Sequence, residues 1–484
     1  MNYKMMSRLI ALILTMEAGF MLPALLLCVY DRDQAAVYAF FYAICITLLA
    51  AAVLLLASRG AKPGFYAREG LVCVGLGWIS ISLAGSLPFW FSGVFSSYID
   101  ALFEIVSGFT TTGASVLSAV EGLPRGILYW RSFSHWVGGM GVLVFLLAVV
   151  PVSGRNDGFT MHLLRAESPG PNVGKLVPRM RRTAGILYLI YILLTILNVV
   201  FLLAGRMPVF DAVCTAFGTA GTGGFGVRND SIAGYSIYIQ NVCTVFMLLF
   251  GVNFSCYYLL LMRQVRSVLR DEELRLYLGI AAGSVLLITL NLRGMYPTMG
   301  ETVRHAAFQV SSIMTTTGFA TTDFDQWPVF SKAILLTLMV IGASAGSTGG
   351  GLKCGRVLLL LKVMGRNVRQ LLHPRKIQVI RNNGQAVDEK LLANTNAYLS
   401  AYVMIILASF ILISLDGFSL TTNFSAVLAC FNNIGPGLEL VGPTSNYGAF
   451  SAFSKLVLIV DMLAGRLEIF PILVLFSAGT WKGR

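Results

Sequence analysis

Two stretches of the sequence decide the fold, because one repeats the other without a gap: Phe103-Glu-Ile-Val-Ser-Gly-Phe-Thr-Thr-Thr-Gly113 and Phe308-Gln-Val-Ser-Ser-Ile-Met-Thr-Thr-Thr-Gly318. A third stretch, Ser425-Ala-Val-Leu-Ala-Cys-Phe-Asn-Asn-Ile-Gly435, fits the same frame. A fourth begins with Asp211-Ala and reaches Gly224 without gaps, although a shift of one residue would place Gly223 at the repeated position. A short apolar segment followed by a glycine-bearing loop therefore occurs four times.

The composition around these segments is that of a membrane protein. Of the 484 residues, 56% are hydrophobic and only 12% are charged, whereas a soluble domain carries about 25% charged residues. This balance excludes a soluble enzyme, a disordered tail and a secreted disulfide scaffold. The eight cysteines lie singly, mostly within apolar runs and without a CxxC pair, so they indicate neither a disulfide framework nor a zinc site.

Apolar runs predict ten membrane spans, since a helix needs about 20 mainly apolar residues to cross the bilayer. These runs begin near residues 9, 37, 71, 127, 184, 237, 276, 333, 397 and 454. Four shorter apolar segments lie between some of them and are expected to be re-entrant: residues 99–109, 209–217, 302–314 and 421–431.

The basic residues predict the orientation of these spans. Six segments hold 26 of the 36 Lys and Arg residues, and ten spans place all six on one side. That side is expected to be cytoplasmic, with both termini inside. The richest are residues 153–182 and 353–390, with six and nine basic residues. The net charge of +13 is thus a topology signal, and a nucleic-acid partner is not needed to explain it.

The repeating unit is a span, a short helix, a glycine-bearing loop and a second span. We therefore predict an all-α polytopic membrane protein in which four pseudo-fourfold repeats surround a central pore, preceded by an N-terminal helix pair. The predicted units are residues 1–69 for the helix pair and 70–182, 183–272, 273–390 and 391–484 for the repeats.

The chemistry that suits four such loops is cation binding. Irregular backbone at membrane depth is tolerated where it is buried in protein or lines a water-filled cavity. Rings of carbonyl oxygens can replace the hydration shell of a cation, and a glycine can adopt the positive φ that turns a carbonyl toward the axis. The candidate residues are Thr110, Thr111, Thr112, Gly113, Gly221, Thr222, Gly223, Gly224, Thr315, Thr316, Thr317, Gly318, Asn432, Asn433, Ile434 and Gly435.

A glycine-rich segment interrupts the predicted span that begins near residue 333. Small residues dominate it, so we expect it to be unwound and to face the pore. A phosphate-binding P-loop fails here because Leu352 separates Gly351 from Lys353, whereas close helix packing through small residues remains an alternative. The residues are Gly342, Ala343, Ser344, Ala345, Gly346, Ser347, Thr348, Gly349, Gly350 and Gly351.

Several charged residues lie in or beside apolar runs. Arg466 at membrane depth is expected to face a cavity or a partner, with local pairing to Glu468 or Asp461 as the alternative. Glu17 is expected to make a helix–helix hydrogen bond. Asp100 and Glu104 begin the first short segment, where carboxylates suit the helix dipole and could attract cations at the mouth.

The chain resembles a TrkH-type subunit of the Trk/Ktr/HKT potassium transporter superfamily. The resemblance rests on Ser107-Gly-Phe-Thr-Thr-Thr-Gly-Ala114, Thr222-Gly-Gly-Phe225, Thr315-Thr-Thr-Gly-Phe319, Asn432-Asn-Ile-Gly-Pro-Gly-Leu438, Gly342-Ala-Ser-Ala-Gly-Ser-Thr-Gly-Gly-Gly-Leu-Lys353 and Gly465-Arg-Leu-Glu-Ile-Phe470. One departure is Glu439, where family members commonly have glycine; it is expected at the outer entrance of the pore.

The resemblance implies a K⁺ pathway, with Na⁺ as a possible second ion, in which the four loops form the selectivity filter. It implies that residues 342–351 act as a gate and that Arg466 below the filter limits conduction. It also implies a homodimer in a bacterial inner membrane and a TrkA-like cytosolic regulatory ring, with the nucleotide (ATP/ADP or NAD) bound to that partner and not to this chain.

Three other functions compete with channel-like conduction. Coupled Na⁺ or H⁺ symport would need carboxylates or histidines in the spans, and only Glu17 and Asp461 are obvious candidates. A K⁺-translocating subunit of an ATP-driven complex would need a partner to hydrolyse ATP. A membrane-embedded enzyme would need a catalytic cluster, and the sequence has none at a recognisable spacing.

Overall fold

The chain is helical throughout most of the computed structural model, which describes residues 1–61, 66–141, 180–376 and 378–481. The N-terminal pair consists of α1 (Tyr3–Tyr30) and α2 (Gln34–Ala57). Asp33 starts α2, where its side chain accepts a hydrogen bond from the backbone N–H of Ala36 at 3.1 Å, as a helix N-cap does. The two helices pack against each other along their length, as the sequence predicted.

Four repeats follow the helix pair. Repeat 1 contains α3 (Ala67–Gly85), α4 (Leu87–Phe91), α5 (Tyr98–Phe109) and α6 (Arg125–Gly139). Repeat 2 contains α7 (Met180–Ala204), α8 (Val209–Gly221), α9 (Ile237–Phe250), α10 (Phe254–Leu261) and α11 (Val265–Leu269).

Repeats 3 and 4 have the same plan. Repeat 3 contains α12 (Glu272–Asn291), α13 (Met299–Met314), α14 (Val329–Ile341), α15 (Cys354–Leu372) and a small hairpin of β1 (Arg381–Asn382) and β2 (Gln385–Ala386). Repeat 4 contains α16 (Glu389–Ile413), α17 (Leu420–Phe431), α18 (Ala452–Arg466), α19 (Phe470–Phe476) and α20 (Ala478–Trp481). Three 3₁₀ turns complete the described elements: Phe324–Gln326, Ser414–Asp416 and Glu439–Val441.

The four predicted short segments are helices α5, α8, α13 and α17. Polar residues start three of them: Ser97, Thr298 and Ser419 each accept a hydrogen bond from a backbone N–H in the first turn, which satisfies a donor that the helix leaves free. Each short helix packs against the second long helix of its own repeat and against that of the preceding repeat, with repeat 1 following repeat 4. The repeats therefore form a closed, pseudo-fourfold arrangement.

The ten predicted spans differ from the structure in the second helix of each repeat. Within the described residues, six helices are long and apolar enough to cross a membrane, and the pair α9 and α10, bent by 88°, would be a seventh. Helices α6, α9, α14 and α18 have only 15, 14, 13 and 15 residues. The last three resume as α10, α15 and α19 after a non-helical break. The sequence predicted such a break only in repeat 3.

The charge-based orientation falls partly outside the described residues. Most of the basic segment 153–182, and both basic residues of 482–484, lie in the undescribed ranges. Eight of the nine basic residues of 353–390 lie on and after α15, and Lys353 lies just before it, next to the glycine-rich segment. The cytoplasmic position of these segments remains a prediction.

Four loops in a ring and the segment beneath them

The four short helices end in the same way. The second residue of each following loop adopts a left-handed conformation, and the N–H of the third bonds a carbonyl five residues back at 2.8 Å. This pattern closes a helix C-terminus by satisfying carbonyls that would lack a partner. The left-handed residues are Thr111, Thr222, Thr316 and Asn433, with φ of 56°, 56°, 59° and 55°. Such values are rare for β-branched residues.

The last residue of each loop is a glycine with positive φ. Gly113, Gly224, Gly318 and Gly435 have φ of 80°, 78°, 86° and 96°, and each lies two residues after the left-handed residue. The sequence had left two registers for the second loop. The structure selects Gly224, so that Gly223 corresponds to Thr112. We refer to residues 110–113, 221–224, 315–318 and 432–435 as loops 1 to 4.

The loops contact one another in a closed cycle. A Cβ atom placed on Gly113 would lie 2.0 Å from the carbonyl oxygen of Gly223 in loop 2. A Cβ atom on Gly224 would lie 2.0 Å from Thr317 O in loop 3, and one on Gly318 would lie 2.2 Å from Ile434 O in loop 4. A Cβ atom on Gly435 would lie 2.7 Å from Thr112 O of loop 1, which completes the ring. All the predicted loop residues are thus brought together, and no side chain fits at the glycines without a backbone shift.

The side chains of the loops are buried and bonded to one another. Thr110 and Thr112 share a hydroxyl–hydroxyl hydrogen bond of 2.8 Å in loop 1, and Thr315 and Thr317 share one of the same length in loop 3. Asn433 instead reaches across to loop 1, where its Nδ2 donates to Thr112 Oγ1 at 3.0 Å. The polar side chains therefore stabilise the loops from within and hold neighbouring loops together.

The glycine-rich segment 342–351 is non-helical and lies against loops 3 and 4. The N–H of Gly350 donates to Thr316 Oγ1 at 2.8 Å, and a Cβ atom on Gly350 would lie 2.4 Å from Asn432 O. On its other side, the N–H of Ala345 donates to the Glu273 carboxylate at 2.6 Å. The segment therefore connects the loops to α12 through backbone hydrogen bonds.

Arg466 lies at the end of α18, where it joins three parts of the site. Its Nη1 donates to Thr348 O in the glycine-rich segment at 2.8 Å and to Thr111 Oγ1 in loop 1 at 3.3 Å. Its Nη2 donates to Gly139 O at the end of α6 at 2.6 Å. The carboxylate of Glu468, its predicted local partner, is bonded to Lys353 at 2.7 Å and to Arg356.

Comparison with known proteins identifies the family. Residues 36–482 match the profile of the TrkH family, described as "Cation transport protein". The chain belongs to the TrkH family. It is 37% identical to the Trk system potassium uptake protein TrkH of Salmonella typhimurium, with all of both chains covered. It is 34% identical to the Trk system potassium uptake protein TrkG of Escherichia coli, with 86% of each chain covered.

A solved structure agrees with this membership. The crystal structure of the potassium transporter TrkH from Vibrio parahaemolyticus superposes with a TM-score of 0.88, at 34% identity and with all of both chains covered. The family resemblance seen in the sequence is therefore confirmed, and so is the helical fold. The relatives are named as transport and uptake proteins, which confirms that the function is not enzymatic.

Sequence reasoning on this TrkH-family chain missed two residues of α6 that support loops 1 and 2. Arg131 bonds the Glu104 carboxylate through Nε at 2.9 Å, and its guanidinium lies 4.1 Å from the ring centroid of Phe225. His135 contacts Gly108 O through Nδ1 at 2.8 Å and accepts the N–H of Phe225 at 3.3 Å. A charged residue and a histidine inside a predicted span were the available signals.

The acidic residues of this TrkH-family chain only partly follow expectation. Glu104 is fully buried in its pair with Arg131, so its predicted role at the mouth is wrong. Glu17 is buried against α3, and no described residue hydrogen-bonds its carboxylate, so the predicted helix–helix hydrogen bond is absent. Asp461 accepts a hydrogen bond from Ser409 at 2.7 Å. Glu439 bonds Ser419 and Thr422 at the start of α17.

Proposed function

We propose that this protein is a potassium uptake protein that conducts K⁺ in a channel-like manner through the ring of four loops. The observation that carries the proposal is the closed cycle of contacts between loops 1, 2, 3 and 4. A ring of backbone carbonyls at membrane depth suits a cation that must shed its water. The names of the relatives, potassium uptake proteins of the Trk system, support K⁺ as the ion.

The proposed filter consists of the residues of loops 1 to 4, with K⁺ bound by their carbonyls and by threonine hydroxyls. The C-terminal ends of α5, α8, α13 and α17 point into these loops, and a helix C-terminus carries a partial negative charge that favours a cation. The second and fourth residues of each loop have positive φ, and such reversals of handedness along a loop can turn successive carbonyls to the same side. Carbonyls that face one side suit stacked rings of oxygen atoms.

The proposed gate consists of residues 342–351 together with Arg466. The segment lies directly against loops 3 and 4, and Arg466 ties it to loop 1 through Thr348 and Thr111. A guanidinium group this close to the loops repels a cation, and the repulsion is strong where water is scarce. Opening the pathway would require the hydrogen bonds of Gly350 and Thr348 to break.

The proposed regulator is a TrkA-like cytosolic ring that binds the nucleotide (ATP/ADP or NAD) itself. Helix α15 begins three residues after the glycine-rich segment, so a force on α15 reaches the segment through continuous backbone. Lys353, at this junction, is paired with Glu468, which lies in the break between α18 and α19. Five of the nine basic residues of 353–390 are exposed and offer an anionic partner a complementary surface: Arg369, Arg375, Lys376, Arg381 and Lys390. A homodimer in the bacterial inner membrane, with both termini inside, belongs to the same proposal.

Rubidium flux into proteoliposomes tests the proposal. The purified protein should admit Rb⁺ down an imposed K⁺ gradient, and flux should change when the nucleotide-binding ring and its nucleotide are added. Collapsing the Na⁺ and H⁺ gradients should leave the uptake unchanged if conduction is channel-like. Absence of Rb⁺ flux with the regulator and nucleotide present would overturn the proposal, and loss of uptake with a collapsed gradient would favour coupled symport.

A further inference from the structure

One buried tyrosine outside the loops is bonded to a loop carbonyl. The hydroxyl of Tyr447 donates to the carbonyl oxygen of Gly435 at 2.7 Å. The side chain is 2% exposed, and its ring packs against Phe103 of α5 and Phe450, with centroid distances of 5.6 and 5.9 Å. Packing on both sides therefore fixes the position of the hydroxyl.

Tyr447 lies at the closure between repeat 4 and repeat 1. Its backbone N–H donates to Ser115 O, just after loop 1, at 2.8 Å, while its hydroxyl holds loop 4. This closure joins the first and the last repeat, so no short segment of chain connects its two sides. It is also the widest of the four contacts between loops. A Cβ atom on Gly435 would lie 2.7 Å from the carbonyl oxygen of the next loop, whereas the same distance is 2.0 to 2.2 Å at the other three glycines.

The corresponding position in repeat 2 lacks a hydroxyl. The N–H of Ile232 donates to Ala320 O at 3.1 Å, and Ala320 follows Gly318 by two residues, as Ser115 follows Gly113. Ile232 thus occupies between repeats 2 and 3 the place that Tyr447 occupies between repeats 4 and 1. In the described part of the chain, no hydrogen bond reaches the carbonyls of Gly113, Gly224 or Gly318.

We propose that Tyr447 is a positioning residue for ion selectivity, because its hydroxyl fixes the direction of the Gly435 carbonyl and makes the ring of glycine carbonyls unequal. A carbonyl oxygen has two lone pairs, and one of them on Gly435 is taken by Tyr447. Loop 4 therefore offers the cation a more constrained oxygen than the other three loops. Because K⁺ and Na⁺ need different numbers and spacings of oxygens, this constraint affects their discrimination. The inference rests on the proposed function.

The test compares Tyr447→Phe with Tyr257→Phe in the full-length protein. Phenylalanine keeps the ring and its packing and removes only the hydroxyl. Tyr257 is the matched control, because its hydroxyl also donates to a backbone carbonyl, Leu249 O, at 2.6 Å, but not to a loop. In proteoliposomes, Tyr447→Phe should change the Na⁺-to-K⁺ permeability ratio about threefold or more, as expected from one hydrogen bond, while Tyr257→Phe keeps the wild-type ratio.

A second variant and a second measurement separate selectivity from general damage. Tyr447→Ile copies the residue of repeat 2 and should shift the ratio in the same direction. In detergent, the stabilisation by K⁺ relative to Na⁺, read as a shift in Tm, should change in both Tyr447 variants and not in Tyr257→Phe. Unchanged ratios in both variants would overturn the inference and leave the proposed function standing. Absence of cation flux in the wild type would instead overturn the proposed function.

Discussion

Loops 1 and 4 reach the same backbone conformation with different residues. Loop 1 reads Thr-Thr-Thr-Gly and loop 4 reads Asn-Asn-Ile-Gly, yet the φ values at Thr111 and Asn433 are 56° and 55°. In loop 1 a threonine pair bonds within the loop. In loop 4 Asn433 bonds Thr112 and Met462 O, and Asn432 accepts from Tyr402 at 3.0 Å.

This difference shows what the conformation needs. The common features are the closing hydrogen bond five residues back, the left-handed residue and the final glycine. The side chains only decide where the stabilising contacts come from: from within loop 1, and from neighbouring elements around loop 4. Loop 1 should therefore be sensitive to its own glycine, whereas loop 4 should be sensitive to residues outside the loop.

The largest expected effect comes from a side chain on a loop glycine. Gly113→Ser and Gly318→Ser place a Cβ at 2.0 and 2.2 Å from a neighbouring carbonyl oxygen, so the backbone must shift and the carbonyls turn. We expect the Na⁺-to-K⁺ permeability ratio to change about tenfold or more, since a positive φ adds further strain. Gly435→Ser, with 2.7 Å available, should change the ratio less.

Gly294→Ser is the matched control for these variants. Gly294 has φ of 87°, and nothing lies within 4 Å of its Cβ position. It therefore carries the same backbone strain without the contact to another loop. If Gly294→Ser changed selectivity as much as Gly113→Ser, or if Gly435→Ser had the largest effect, the closed ring would not explain selectivity.

The second prediction concerns the link between loop 1 and the segment under loops 3 and 4. Arg466→Ala removes the hydrogen bonds to Thr111 and Thr348 together with the positive charge, so we expect Rb⁺ flux to rise several-fold. Arg466→Lys keeps the charge but cannot bond several acceptors in the same fixed geometry. Its flux should lie between those of the wild type and Arg466→Ala.

Deleting part of residues 346–351 tests the other half of this link. Flux should rise or become independent of the regulator's nucleotide, because the segment would no longer reach Thr316. A deletion variant with wild-type flux and wild-type nucleotide response would show that the segment is not a gate. A decrease of flux in Arg466→Ala would show that the arginine is structural and not a barrier.

The repeated loops could be predicted from sequence because their signal is local. A glycine that follows a short apolar segment at a fixed spacing identified all four loops, although it left two registers for loop 2. The guanidinium of Arg466 inside an apolar run identified a residue that lies beside them. The break after α9 could not be predicted in the same way, since Gly251 is its only glycine. After α18 the chain turns at Glu468 and Ile469, which adopt positive φ without any sequence signal for it.

The supports of the loops could not be predicted because they depend on tertiary contacts. Glu104 and Arg131 are 27 residues apart and meet only when α5 packs on α6. Asn433 and Thr112 lie 321 residues apart and meet only because the ring closes. The short sequence repeat therefore predicts the position of each loop, whereas the contacts that stabilise the loop depend on how the long helices pack.

The third prediction tests whether loop 4 depends on its neighbours. Asn433→Thr gives loop 4 the residue of loops 1, 2 and 3, and it removes the bonds to Thr112 Oγ1 and Met462 O. We expect the free energy of unfolding in detergent to fall by about 1–2 kcal/mol, because buried acceptors lose a donor. Thr222→Asn, the reverse change in loop 2, should cost less, since asparagine tolerates a positive φ and the Thr222 hydroxyl donates within its own loop, to Gly221 O. Equal losses in the two variants would contradict the comparison.

The smallest expected effect on stability comes from Glu439. This carboxylate follows loop 4, and the corresponding position after loop 1 has no carboxylate. Hydrogen bonds from Ser419 and Thr422 hold the pKa of the Glu439 carboxyl below its usual value. A lowered pKa in the folded state means that Glu439 stabilises the fold above the unfolded pKa of about 4.3. This contribution is lost as the pH falls through the lowered value. Because the carboxyl is largely exposed, the contribution is small.

Glu439→Gln should therefore lower Tm slightly at pH 7 and leave it unchanged in acid, where the wild-type carboxyl is also neutral. The measurement is the difference in Tm between the two proteins from pH 7 down to pH 3. Glu301→Gln provides the control, because Glu301 is a carboxylate in the first turn of α13 outside the surroundings of loop 4. A Tm difference that grew as the pH fell would mean that Glu439 destabilises the fold when ionised, in conflict with its two hydrogen bonds.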